Sequence, residues 1–364
     1  MKKITLLLCA VLLAFTACHG NQNENQSETI KEYTINGHID DSYFEGKTVY
    51  LYDITSNEKT AIDSTTVTNG TFTFKNTIGT SMLAAVIFED GYQMLLVLEP
   101  GEIYVDLLND SLSGTALNDK LYQFQKYTFA FSEEVGKAYD NALMDDDESM
   151  QNFELMYEEK MKEFNEKVAK YYDENKTNIL GVFFISCLEE LTYEQMKNML
   201  KDAAPEVVNN QYVQKRFEIL KNMESTRVGQ KYVDVDVVDF STDKAAKLSD
   251  YVEGKIALID FWASWCRPCR IEIPNIAKIY KKYGDKIAVI GMNVWDDPDS
   301  QADAIELLKM NWIQLADRTE EHIVMNKYGV EGIPQIMLIG ADGTILARDL
   351  RGDEIEEAVK KALE

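Results

Sequence analysis

Positive charge is what this 364-residue chain most lacks: 37 Lys and Arg stand against 62 Asp and Glu, for a formal net charge of −25. That balance excludes a nucleic-acid partner, whose phosphates need a basic patch, and general adhesion to anionic lipid. Histidine and cysteine are also scarce. The three histidines, His19, His38 and His322, are scattered, and the cysteines are Cys9, Cys18, Cys187, Cys266 and Cys269. Cys266 and Cys269 form a Cys-x-x-Cys pair. Tetrahedral zinc needs four ligands, and neither a second pair nor grouped histidines supply the other two. No metal and no cofactor are expected. Asp145-Asp146-Asp147-Glu148 is acidic, but no EF-hand loop follows it. It reads as a solvated loop leading into a helix, whose N-terminus favours acids.

Apolar residues make up 45% of the chain, enough to build cores in two or three domains. At the N-terminus, Met1-Lys2-Lys3 is basic and Ile4 to Phe15 is apolar but too short to span a bilayer comfortably. Small residues, Thr16 and Ala17, precede Cys18. This resembles a bacterial lipobox, which implies residues 1–17 as signal peptide and a lipidated Cys18. An ordinary secretory signal cleaved nearby, with Cys18 incidental, is the other reading. Residues 18–30 are polar and of low complexity, a lipidated flexible tether. The expected location is the cell envelope, lipid-anchored to the membrane and facing the periplasm.

Residues 31–113 read as an all-β domain. Expected strands are Tyr33 to Ile39, Lys47 to Ile54, Ala61 to Thr68, Thr71 to Lys75, Met82 to Glu89, Tyr92 to Leu98 and Ile103 to Leu108. Asn69-Gly70 and Asp90-Gly91 are hairpin signals. The spacing suggests a small antiparallel sandwich or barrel. The Gly37-x-Ile39 pattern, Val49-Tyr50-Leu51, Asp63-Ser64 and the Asn69-Gly70-x-Phe72-x-Phe74 run resemble a β-domain of unknown function found in envelope lipoproteins.

The period then changes to helical over residues 114–226. Leu117, Leu121, Phe124, Phe131 and Val135 form one stripe. Phe153, Tyr157, Met161, Phe164, Val168 and Tyr171 form a longer one. Core packing, a homodimer face and a client groove are open readings of these stripes. Thr192-x-x-Gln195 is a capping box, and Pro205 fits a helix start. Cys187 lies in an apolar run and reads as a small buried hydrophobe.

In residues 227–364, strand and helix alternate and a hairpin and helix follow, an α/β plan with a mixed sheet. The chemistry concentrates in Ile256 to Pro274. Ile256 to Ile259 is a short buried strand interrupted by Asp260. Then come Trp265, Cys266, Arg267, Pro268 and Cys269 at a helix start, where proline is tolerated. A thiolate is the reactive form of cysteine, and the positive end of a helix favours it. Cys266 would attack, and Cys269, one turn in, would resolve the mixed disulfide.

Asp260 to Cys269, DFWASWCRPC, resembles the thioredoxin active-site strand and loop. Arg270 to Pro274, RIEIP, resembles the TlpA/ResA-like branch of thioredoxin-fold thiol-disulfide oxidoreductases. The resemblance implies that Pro334, after Ile333, is the cis-proline lying against the cysteine pair, and that the long gap before it holds an added strand and helix. Asp260 falls at the position of a buried acid behind the pair, and Glu272 at the acid of ResA-like proteins. Either could exchange a proton with Cys269 if burial raises its pKa. An exposed first-turn Glu272 is the alternative. Trp265, Arg267, Pro268 and Ile333 would shape the client-docking face.

These residues imply an extra-cytoplasmic, lipid-anchored enzyme that reduces or isomerises protein disulfides. Its partners would be disulfide-bearing client proteins, apocytochrome c among the family's possibilities, and a membrane thiol reductant as electron donor. Arg267 would raise the potential and Pro268 is shared with reducing thioredoxins, so the direction of electron flow stays open. Peroxiredoxin-like peroxide reduction is an alternative, although no Pro-x-x-x-Ser/Thr-x-x-Cys pattern occurs. A non-enzymatic envelope binding lipoprotein is another.

Overall fold

Alternation of buried and exposed residues sets the first part of the fold. The computed structural model describes residues 31–364 except 56–59, 90, 144–146, 189–190 and 321. Cys18 with the segment before it, Asp90, Asp145 and Asp146 lie outside the described residues. The strands are β1 (Lys31–His38), β2 (Thr48–Asp53), β3 (Asp63–Thr66), β4 (Thr71–Ile78), β5 (Met82–Phe88), β6 (Gln93–Leu98), β7 (Gly101–Asp106) and β8 (Ser111–Ser113). They form two four-stranded sheets, β4-β1-β7-β8 and β3-β2-β5-β6. Tyr33, Ile35, Phe72 and Phe74 of one sheet and Val49, Leu51, Val86 and Phe88 of the other are buried. The Phe72 and Phe88 rings meet edge to face across the sandwich, 6.1 Å between centroids.

Two expectations need correction. The sandwich is not purely antiparallel, because β1 and β7 pair in parallel from Tyr33↔Gly101 to His38↔Asp106. Asn69 and Gly70 adopt positive φ, 53° and 67°, as a tight turn requires. No hairpin ladder grows from it beyond the Thr68↔Thr71 bridge. Instead β3 pairs with β2 and β4 with β1, so this turn carries the chain from one sheet to the other. The ladder of β5 and β6 does run as expected, from Met82↔Leu98 to Ile87↔Gln93. Gly37 pairs with Phe72 in register. A Cβ at Gly37 would sit 2.0 Å from that ring, so glycine here makes room for an aromatic lying over the strand.

Helices follow as α1 (Ala116–Leu143), α2 (Asp147–Asn175), α3 (Leu180–Ser186), α4 (Tyr193–Lys201), α5 (Pro205–Val208) and α6 (Gln211–Ser225). Leu121, Phe124, Val135, Phe153, Phe164 and Val168, from both expected stripes, are buried. Phe124 packs against Phe164 and Phe184. The fully buried Asn118 of α1 ties this layer to the sandwich: its Nδ2 donates to the Val97 carbonyl at 2.7 Å and its Oδ1 accepts from the Val97 N–H at 2.8 Å. Each polar atom so buried has its partner. Thr192 and Gln195 form the capping box, Pro205 opens α5, and Cys187 is buried.

The chain divides into two compact units, Met1–Gln214 and Lys215–Glu364. The second holds β9 (Asp236–Asp239), β10 (Lys244–Lys247), α7 (Ser249–Val252), β11 (Ala257–Trp262), α8 (Arg267–Tyr283), β12 (Ala288–Asn293), α9 (Pro298–Leu308), β13 (Ile313–Ala316), α10 (Ile323–Tyr328), β14 (Gln335–Ile339), β15 (Ile345–Ala347) and α11 (Asp353–Leu363). One mixed sheet runs β10-β9-β13-β12-β11-β14-β15. β11, β12 and β13 are parallel, and β14 is antiparallel to β11. β11, β12 and β14 are buried along their whole length, the pattern of strands covered on both faces. The lead-in expected as one strand from Tyr232 to Phe240 is shorter and turns back as β10. Lys-Ala-Ala-Lys carries no apolar alternation, as suits an exposed charged edge. No described helix is long and apolar enough to cross a membrane.

Candidate active site

β11 sets the site by its period of two. Ala257, Ile259 and Phe261 join the core on one face of the sheet, and Leu258 and Trp262 join the core on the other, beneath α8 and α11. Asp260 lies between Leu258 and Trp262 and therefore points to the α8 side. It is fully buried, and neither carboxyl oxygen has a hydrogen-bond partner among the described residues. Burial pushes its carboxyl up to about 8, with the Arg351 guanidinium pulling it down and the Glu272 carboxylate pushing it up.

Beyond β11 the chain turns into α8, and Cys266 is the N-cap. Its Sγ accepts from the Cys269 N–H at 3.2 Å, a contact that stabilises negative charge on the sulfur. Pro268 stands in the first turn, where no N–H is needed. Cys266 and Cys269 are joined as a disulfide with Cα atoms 5.3 Å apart. Cys266 is 3% exposed and Cys269 is fully buried, so the outer sulfur is the one a partner reaches. The Ile333–Pro334 peptide is cis, and the Ile333 carbonyl oxygen lies 3.7 Å from Cys266 Sγ.

Glu272 sits one helical turn beyond Cys269 and is buried, unlike the exposed first-turn alternative. It accepts from the Asn275 Nδ2 and from the Gly352 N–H, both at 3.0 Å. Trp265 is 61% exposed and stacks on Trp295, with centroids 6.1 Å apart. Its indole N–H points to the Trp295 carbonyl at 3.4 Å, and the His322 ring meets Trp295 edge-on. Arg267 is exposed beside Cys266, and Pro268 is half-buried. The structure thus brings together Asp260, Cys266, Cys269, Glu272, Ile333, Pro334, Trp265, Arg267 and Pro268. Cys18 lies outside the described residues.

Three contributors were not expected from sequence. Asp296 accepts from the Ser264 N–H at 2.6 Å, from Ser264 Oγ at 2.8 Å and from Asn293 Nδ2 at 2.7 Å, fixing the loop before Cys266. Arg351 donates to the Pro334 carbonyl at 2.5 Å. Gln314 completes a row across the sheet, since Asp260 pairs with Gly291 and Gly291 with Gln314. A Cβ on Gly291 would meet Gln314 Oε1 at 2.4 Å, so the glutamine side chain lies over the glycine. The signal available for Gln314 was a polar residue inside an apolar strand. Asp296 and Arg351 are loop residues, which carry no periodicity.

Residues 228–348 match the AhpC/TSA family. This part of the chain is an AhpC/TSA-family, thioredoxin-like domain. Residues 33–121, in the first unit, match a domain of unknown function, DUF4369. The AhpC/TSA-family domain is similar to the thiol:disulfide interchange protein HelX of Rhodobacter capsulatus, 31% identical over 116 residues that cover 32% of this chain and 63% of HelX. It is similar also to the thiol-disulfide oxidoreductase ResA of Bacillus thuringiensis, 25% identical over 141 residues, covering 38% of this chain and 79% of that protein. Among solved structures it resembles the thioredoxin domain of a thiol-disulfide oxidoreductase from Bacteroides vulgatus, at 28% identity and TM-score 0.36, covering 38% of this chain and 99% of that domain.

Proposed function

We propose that the chain is an extra-cytoplasmic, lipid-anchored thiol-disulfide oxidoreductase that reduces or isomerises disulfides in client proteins. One observation carries the reading: a cysteine pair closes at a helix N-terminus, with its outer sulfur facing the Ile333 carbonyl beside cis-Pro334 and two buried carboxyls behind it. In the reduced state, the Cys266 thiolate attacks a client disulfide. One client sulfur leaves as a thiolate, and a mixed disulfide forms. Cys269 then loses its proton to a buried carboxylate, Asp260 or Glu272, and attacks Cys266 Sγ. The client leaves with both sulfurs reduced, and the Cys266–Cys269 disulfide is restored, two electrons having passed to the client. A dithiol donor at the membrane returns the pair to the reduced state. Trp265 and Ile333 flank the sulfur and offer apolar surface and a main-chain acceptor to the client peptide.

Reduction of insulin disulfides with dithiothreitol as donor tests the reading. The wild type is expected to accelerate it and Cys266→Ser to abolish the acceleration. Cys269→Ser is expected to accumulate the mixed disulfide, because attack proceeds and resolution does not. Equal rates for wild type and Cys266→Ser would overturn the assignment, and consumption of hydrogen peroxide in place of insulin reduction would favour the peroxidase alternative.

A further inference from the structure

The loop between β15 and α11 reaches both sides of the site through two consecutive residues. The Gly352 N–H donates to Glu272 on α8. Arg351 places one guanidinium nitrogen on the carbonyl of Pro334 and the other on the carbonyl of Leu350, at 2.8 Å. Half-buried itself, this cation also acts on Asp260, which finds no donor of its own among the described residues. Leu350 is buried in the same core, and its N–H donates to the Ile336 carbonyl in β14, so the loop is fastened to the strand that follows Pro334. A planar guanidinium can serve two carbonyls at fixed angles while its charge remains available to a third group.

We infer that Arg351 is a positioning residue: it holds the Ile333–Pro334 turn against Cys266 and supplies the positive charge that offsets Asp260 behind the disulfide. The inference deepens the thiol-exchange reading and rests on it for its consequence in turnover. Geometry carries the positional part, since one side chain bonds the proline carbonyl and its loop is fastened to β14, and the charge of the same guanidinium bears on the buried acid. The groups bearing on Asp260 are Glu272 from α8, Arg351 from the loop before α11 and, on reduction, the Cys266 and Cys269 thiols. Without the guanidinium, Asp260 faces Glu272 with less compensation and keeps its proton to higher pH.

Two substitutions separate the parts. Arg351→Gln retains donors toward the Pro334 carbonyl but not the charge. Arg351→Lys retains the charge but not the fork. The readout is the titration of the Asp260 carboxyl in the oxidised protein by carbon-13 NMR, assigned by its loss in Asp260→Asn, alongside the insulin assay. In Arg351→Gln the Asp260 midpoint is expected to move to higher pH by roughly one unit, the lower end of what a neighbouring opposite charge does, and Arg351→Lys to restore it. In Arg351→Lys the expected loss is a several-fold rise in KM, because the Pro334 carbonyl is no longer held by the fork. An Asp260 midpoint unchanged in a folded Arg351→Gln protein overturns the electrostatic part. Wild-type KM in a folded Arg351→Lys protein overturns the positional part. The NMR titration does not depend on turnover, so a wild type inactive on insulin would count against the function proposed above and leave the Arg351 titration to stand or fall by itself.

Discussion

At the scale of single residues, Asp260 holds the largest electrostatic consequence. Its carboxyl titrates at about 8 in the folded chain against an ordinary 3.8, because burial removes the water that would solvate the anion. Between those values the folded protein binds a proton that the unfolded chain has released. Unfolding then sheds protons, so stability falls as pH rises through that window. The contribution is fully present below the unfolded value and is lost above about 8. Asp260→Asn, which keeps the shape and removes the charge, is therefore expected to match wild-type stability in acid and to exceed it by about 5–6 kcal/mol at pH 9. Urea melts at a series of pH values measure this, and a wild-type-to-variant difference constant with pH would refute it. Asp260 and Glu272 could both be singled out in the sequence. That Asp260 lacks any donor among the described residues while Glu272 has two could not, since Asn275 is one turn along α8 from Glu272 but Gly352 reaches it only once the α11 leader has packed.

At the scale of elements, helix ends do more than terminate helices. Within the second unit, the end of α6 is latched to the end of α10 by hydrogen bonds from Asn222 Nδ2 to the Asn326 carbonyl, at 2.9 Å, and from Thr226 Oγ1 to the Tyr328 carbonyl, at 3.0 Å. Arg348 donates to the carbonyls of both Thr226 and Tyr328. Gly329 permits this approach: its φ is +59°, and a Cβ would stand 2.4 Å from the Met223 backbone nitrogen. Gly329→Ala would add a strained conformation to a backbone clash, and about 2–4 kcal/mol of lost stability is expected. Chemical denaturation reads it, and a change below about 0.5 kcal/mol, the size of an ordinary surface substitution, would show that the approach is loose. The helices were legible where apolar spacing was long, as in α1 and α2. β8 and β10 were not, because three or four mostly polar residues carry too little alternation to register.

For the whole molecule, the question is where a redox pair is put to use. The anchoring proposed for Cys18 predicts that Cys18→Ser leaves the protein out of the membrane fraction and unlabelled by radioactive palmitate, while its insulin reduction in solution stays within about twofold of wild type. Membrane retention of the substituted protein would exclude Cys18 as the anchor. The two compact units also differ in what they offer. The first packs a sandwich and helices around aromatic residues such as Phe124 and Phe164. The second holds the cysteine pair and every residue placed around it.

By itself, the sequence determined the features that depend on local order. These are the Cys-x-x-Cys at a helix start, the strand–helix alternation around it, the excess of acid that argues against a nucleic-acid partner, and the strands on either side of Asn69-Gly70. Their causes are periodicity, capping and turn chemistry, which act over a few residues. Only the tertiary structure decided that Asn69-Gly70 separates two sheets and that β1 and β7 run parallel. The same holds for Arg351, which joins the Pro334 carbonyl to the field around Asp260. Those outcomes depend on contacts between segments distant in the chain, and a contact of that kind leaves no period to read.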